Sequence, residues 1–145
     1  MRKLTIKRAK KGVACLAKTK FYIVAPYGDT TINGEPCAFL CDLKNGEEKT
    51  FEISSEQIKV YAICDMMSKD YCNDYYILDA GEEDVVLTGA HAFSPMTGNP
   101  FRFDNNNSAG VAENRKKGGK KGLIVGIIAA VVGFIIGFVA VGLLL

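Results

Sequence analysis

Glu35-Pro36-Cys37-Ala38-Phe39-Leu40-Cys41-Asp42-Leu43-Lys44-Asn45-Gly46-Glu47-Glu48-Lys49-Thr50-Phe51-Glu52-Ile53 is the stretch on which the fold turns. Its apolar side chains recur at every second position, the period of an extended chain and not of a helix. Cys37, Phe39, Cys41 and Leu43 therefore share one face of a strand, with Ala38, Leu40 and Asp42 on the other. Asn45-Gly46 supplies residues that tolerate positive φ. Phe51 and Ile53 then resume the alternation against Thr50 and Glu52.

The same period extends in both directions. Lys3-Leu4-Thr5-Ile6-Lys7 alternates, Phe21-Tyr22-Ile23-Val24 is rich in β-formers, and Ile58, Val60, Ala62 and Cys64 point one way. Further runs are Tyr75-Tyr76-Ile77-Leu78, Val85-Val86-Leu87 and Phe101-Arg102-Phe103, with turn residues at Gly28-Asp29, Asn33-Gly34 and Ala80-Gly81. Only Asp65 to Asn73 suggests a short helix. The pattern predicts an all-β domain over residues 1–103, an antiparallel β-sandwich of about seven or eight short strands.

Ile32-Asn33-Gly34-Glu35, followed by Asp42-Leu43-Lys44-Asn45-Gly46 and the alternating run to Ile53, resembles the core of PEGA-type β-sandwich modules. The likeness covers residues 20–63, with Glu35-Pro36-Cys37 standing where those modules carry Thr-Pro after the first turn. The resemblance implies a small non-catalytic surface domain with a binding or spacer role.

Beyond Phe103 the composition changes twice. Residues 104–122, DNNNSAGVAENRKKGGKKG, are polar and glycine-bearing, a flexible linker that keeps the domain within roughly 25 Å of its attachment. Residues 123–145, LIVGIIAAVVGFIIGFVAVGLLL, hold 19 apolar side chains, four glycines and no charge. As a helix they extend about 35 Å, enough to cross a hydrocarbon core of about 30 Å. A single transmembrane helix is expected, because one isolated segment satisfies its backbone in lipid only that way. Arg115, Lys116, Lys117, Lys120 and Lys121 precede it, nothing follows Leu145, and residues 1–20 lack the apolar run of a signal peptide. The positive-inside rule then places the domain in the cytoplasm, on a single-pass, tail-anchored chain. Ala129, Gly133 and Gly137 form a small-residue stripe that would let two such helices pack as a homodimer.

With 145 residues there is room for one domain and its anchor, which excludes multi-domain catalysts. The formal charge of +2 conceals a split: residues 1–20 carry eight basic side chains and no acid, residues 29–84 carry fourteen acids against four lysines. Lys7, Arg8, Lys10 and Lys11, with the basic cluster before the span, are candidates to meet the anionic leaflet of the bilayer. No nucleic-acid motif or basic-aromatic platform accompanies them, so no nucleic-acid partner is expected.

Chemistry is sparse. Five cysteines form an odd set without a C-x-x-C knuckle, and a reducing compartment disfavours disulfides. Cys37, Cys41 and Cys64 fall on predicted inward faces, where free cysteine acts as a small hydrophobe. Together with Cys72 they are the only candidates for a metal or redox site. His91 is the sole histidine and reads as a loop residue, and Asp79, Glu82, Glu83 and Asp84 lack the spacing of a calcium loop. No phosphate-binding or dinucleotide fingerprint is present, so neither a cofactor nor enzymatic activity is expected. The sequence thus points to a membrane-anchored interaction module that localises or scaffolds a protein partner. The alternative is a cysteine-based metal or redox sensor at the membrane.

Overall fold

A computed structural model describes residues 1–64, 74–93 and 100–104. The proposed helix at Asp65–Asn73, nearly all of the linker and the apolar tail lie outside these residues. Among the described residues no helix is long and apolar enough to cross a membrane.

The described chain is all-β, with strands β1 (Arg2–Arg8), β2 (Thr19–Val24), β3 (Thr30–Ile32), β4 (Glu35–Leu43), β5 (Glu48–Ile53), β6 (Ile58–Cys64), β7 (Asp74–Leu78), β8 (Val85–His91) and β9 (Phe101–Phe103). They form a four-stranded sheet of order β5-β1-β8-β9 and a five-stranded sheet of order β3-β4-β2-β6-β7. One core lies between them. Leu4, Ile6, Ile53, Leu87, Phe101 and Phe103 from the first sheet meet Phe21, Cys41, Leu43, Ile58, Val60, Ala62 and Leu78 from the second. Phe21 stands edge-on to Phe101 at 5.3 Å between ring centroids, an arrangement that adds to area burial.

Three features depart from the sequence expectation. First, the sandwich is not wholly antiparallel: β1 pairs in parallel with β8, from Leu4 opposite Val85 to Arg8 opposite Gly89. The chain changes sheets between β1 and β2, so the two do not form a first hairpin, and both edges of β1 are left for distant strands. Second, Cys37 and Phe39 do not share a face with Cys41 and Leu43. The register of β2 against β4 passes from Phe21–Cys41 to Tyr22–Phe39, and the extra residue, Leu40, forms a β-bulge that switches side-chain parity. Cys41 and Leu43 enter the main core, whereas Cys37 packs with Ile32 and Tyr61 on the other side of the sheet. Third, β3 is an additional three-residue strand. It joins β4 through Asn33-Gly34, whose φ angles of 52° and 82° suit the two-residue turn of a tight hairpin.

His91 is not a loop residue. It ends β8 at 5% exposure, and its Nε2 lies 2.7 Å from Thr19 Oγ1 on the opposite sheet. Buried Asp74 makes a second tie between the sheets, accepting the Phe103 amide through Oδ2 at 2.8 Å.

Candidate interaction surface

Outward-facing positions of the five-stranded sheet bring four aromatic residues into one cross-strand row. Phe39 on β4 is opposite Tyr22 on β2, Tyr22 is opposite Tyr61 on β6, and Tyr61 is opposite Tyr75 on β7. Ring centroids are 5.5 Å apart for Tyr22–Phe39 and 5.6 Å for Tyr61–Tyr75. The Leu40 bulge is what turns Phe39 outward to complete the row. Val24, Ile63 and Ile77 extend the apolar area around it. Phe39 is 54% exposed and Ile77 39%, while Tyr22 and Tyr75 are half-buried.

A polar cluster stiffens the centre of this face. Glu35 Oε2 accepts hydrogen bonds from Lys59 Nζ at 2.6 Å and from the Tyr61 hydroxyl at 2.5 Å. The Lys59 ammonium also lies 4.4 Å from the Tyr75 ring centroid and 5.0 Å from that of Tyr61, within cation–π range. Burial by itself would raise the Glu35 carboxyl pKa, but its hydrogen bonds from Lys59 and Tyr61 and the lysine charge outweigh it and hold it below the ordinary value. For Lys59 burial works downward, and the same contacts reverse it and raise the ammonium pKa. Burial, reinforced by Glu35, raises the Tyr61 hydroxyl. At neutral pH the cluster is a closed ion pair with a neutral phenol. Tyr61 itself is 1% exposed, so the π-faces open to contact on this sheet are those of Phe39, Tyr22 and Tyr75, and the cluster holds no nucleophile with a base beside it.

The basic residues of the first strand are used differently from one another. Lys7 forms an ion pair with Glu48 at 2.7 Å across the β1–β5 ladder. Arg8 is no surface residue: it is 1% exposed, because it shares the inward parity of Leu4 and Ile6. Its Nη1 donates to the Ala17 and Leu43 carbonyls at 2.5 and 3.0 Å and its Nη2 to the Ala14 carbonyl at 2.7 Å. Arg2, at the other end of β1 and 6% exposed, donates to the carbonyls of Glu56 and Asp79. Of the four named positions, Lys10 and Lys11 are exposed in the loop after β1. Arg115, Lys116, Lys117, Lys120, Lys121, Ala129, Gly133 and Gly137 lie outside the described residues.

The bulge also separates the cysteines. Cys37 and Cys41 sit on opposite sides of the sheet, so they do not converge on one ion, and Cys72 lies outside the described residues. Among the described residues no group of three His, Cys, Asp or Glu is arranged to hold a metal. Burial raises the Cys37 thiol pKa and takes that of Cys41 to about 11, which works against the thiolate that metal binding and redox exchange use. The acidic residues Asp79, Glu82, Glu83 and Asp84 border a shallow cleft of about 640 Å³ at the β7–β8 corner. Two of them anchor the chain start: Asp84 accepts the Lys3 amide at 2.7 Å, and Glu82 lies 3.5 Å from the terminal ammonium.

Sequence reasoning did not find the aromatic row or the two buried arginines. The arginines were signalled by parity, since Arg2, Leu4, Ile6 and Arg8 are spaced two apart. The row depended on strand order and on a bulge that leaves no mark in composition. No protein-family model matches the chain, and comparison with curated proteins and with solved structures gave no match.

Proposed function

We propose that this chain is a non-catalytic interaction module held at the cytoplasmic face of a membrane by its apolar tail, and that it holds a protein partner there through the outer face of the five-stranded sheet. The observation that carries this reading is the aromatic row in which Phe39, Tyr22 and Tyr75 reach the surface around buried Tyr61, an amphipathic patch of the kind enriched at protein interfaces. The lysines beside it are engaged with carboxylates, Lys59 with Glu35 and Lys18 with Asp42, which favours a protein over a phosphate backbone as the occupant. The resemblance to PEGA-type modules supports a binding role. The stripe Ala129, Gly133 and Gly137 would pair two modules side by side.

The test is site-specific photo-crosslinking in the native membrane, with the reactive side chain at Phe39 or, as control, at Val86 on the outer face of the other sheet, which is 63% exposed. A discrete protein adduct from Phe39, absent from Val86 and lost with Ile77→Arg, is expected. Equal adducts from both positions, or none from Phe39, would refute the assignment of this face.

A further inference from the structure

The loop between β1 and β2 displays Leu16 at 97% exposure, beside exposed Cys15. An exposed leucine is ordinary on its own. What distinguishes this one is how it is held. Two of the three carbonyls on the buried Arg8 guanidinium, those of Ala14 and Ala17, flank Cys15 and Leu16. Ala14 adopts a left-handed φ of 49°, which is strained for a residue with a Cβ, and its carbonyl also accepts the Ala17 amide at 3.1 Å. Lys11 is fixed as well: its amide donates to Asn45 Oδ1 at 3.0 Å and its carbonyl accepts from Asn45 Nδ2 at 2.9 Å. A buried cation and a strained backbone thus hold an apolar side chain out in solvent.

The charges around it are predominantly positive, although Glu47 accepts the Lys44 amide in the adjoining turn, Asp42 pairs with Lys18 and Glu48 pairs with Lys7. Lys10, Lys11 and Lys18 lie in the loop, and Lys44 is exposed in the adjoining β4–β5 turn. At the opposite end of β1, about 20 Å away at 3.4 Å per residue, the chain places Asp79, Glu82, Glu83 and Asp84. The domain therefore has a basic pole carrying the leucine and an acidic pole facing away from it. In the sequence only 18 residues, 105–122, separate the domain from the apolar segment, which leaves the loop within range of the same bilayer.

We propose that this loop is a membrane-docking tip: Leu16 enters the interfacial region of an anionic leaflet, Lys10, Lys11 and Lys44 meet its headgroups, and the domain is held with its acidic pole outward. The proposal rests on the anchored reading of the tail. It adds an orientation that attachment through the tail alone does not provide. The aromatic row, on the flank of the sandwich and not at either pole, stays open in that orientation.

The test uses the whole chain in lipid nanodiscs, carrying Cys72→Ser and an environment-sensitive fluorophore on native Cys15. The other described cysteines, Cys37, Cys41 and Cys64, are buried and do not compete for the label. Spin-labelled lipid should quench the probe at least about threefold more strongly with roughly 30% phosphatidylserine than with phosphatidylcholine alone. Leu16→Asp, a change at a fully exposed position, should abolish the difference, and so should about 0.5 M salt. A label at Tyr27→Cys, 82% exposed, in a Cys15→Ser background should show no lipid quenching. Quenching at Cys15 no greater than at Tyr27 in a chain that has entered the nanodisc would overturn the docking tip alone. Failure of the chain to enter the nanodisc would remove the anchored reading and the docking tip with it.

Discussion

Replacing Arg8 tests how the loop and the basic pole are built. Arg8→Met keeps most of the buried hydrocarbon and removes the guanidinium. Three charge-assisted hydrogen bonds, to Ala14, Ala17 and Leu43, are lost. At about 1.5 kcal/mol each, the low end for bonds to a charged group, their sum is about 4–5 kcal/mol. Relief of guanidinium desolvation offsets part of this, and burial is the leading influence that lowers the pKa of Arg8. The Ala14 and Ala17 carbonyls can turn to water, whereas the Leu43 bond is fully buried. A net loss of about 3 kcal/mol follows, or roughly 12–24 °C in the unfolding midpoint of a domain of about 100 residues. The chain has six tyrosines and no tryptophan, so tyrosine fluorescence during urea or thermal unfolding of the detergent-solubilised chain reports the change. Trypsin should also cut faster after Lys10, Lys11 and Lys18. Arg8→Lys should recover less than half of the loss, because one ammonium does not reproduce the guanidinium fork. A midpoint within about 0.5 kcal/mol of the parent, with unchanged proteolysis, would refute the clamp.

Other outcomes follow from the same structure. Under native conditions alkylation should modify Cys15 rapidly and spare Cys37, Cys41 and Cys64 until the chain unfolds, as read by peptide mass spectrometry; early modification of Cys41 would contradict its burial and its raised pKa of about 11. Gly28→Ala should cost more than about 2 kcal/mol, because the added Cβ runs into the Cys37 backbone and no side chain can swing aside; an unchanged urea midpoint would contradict that packing. Glu35 has a folded pKa below its unfolded value, so its contribution is present above the unfolded pKa, near 4.3, and is lost as pH falls through the folded one. With 38% of its side chain in solvent that contribution is at most about 1 kcal/mol, and Glu35→Gln should flatten the acid limb of the stability profile by that amount. Lys59 has the opposite sign: its raised pKa stabilises below the unfolded value, near 10.4, and the benefit fades as pH rises through the folded pKa.

Much of the fold was legible because strand formation is local. Each apolar run from Leu4–Ile6 to Phe101–Phe103 became a strand, and the Asn33-Gly34 turn closes the hairpin its residues allow. What was not legible is relational. Nothing near Ile6 announces Leu87 as its parallel neighbour, since their pairing is set by which sheet each strand joins. Cys37 and Cys41 look equivalent by spacing until Leu40 bulges and turns them to opposite sides. The charge split was partly misread for a similar reason. The basic start of the chain folds onto acidic strand β5 and consumes Lys7, while Arg8 goes inside by parity. The asymmetry that persists in space lies between the ends of β1, not between the beginning and middle of the sequence. The aromatic row was hidden because its four members come from four strands and need three strand pairings, one of them bulged, to align.

Both proposed surfaces owe their meaning to the side of the membrane on which the domain lies. The most direct measurement is therefore labelling of Tyr27→Cys by a membrane-impermeant maleimide, in a Cys15→Ser, Cys72→Ser background, on intact cells and again after lysis. Tyr27 is 82% exposed and away from the loop that carries Leu16, so its reactivity reports compartment and not burial. Protection in intact cells with full reaction after lysis, in a chain that sediments with the membranes, is the predicted result. Reaction in intact cells, or a chain that stays in the soluble fraction, would contradict the account.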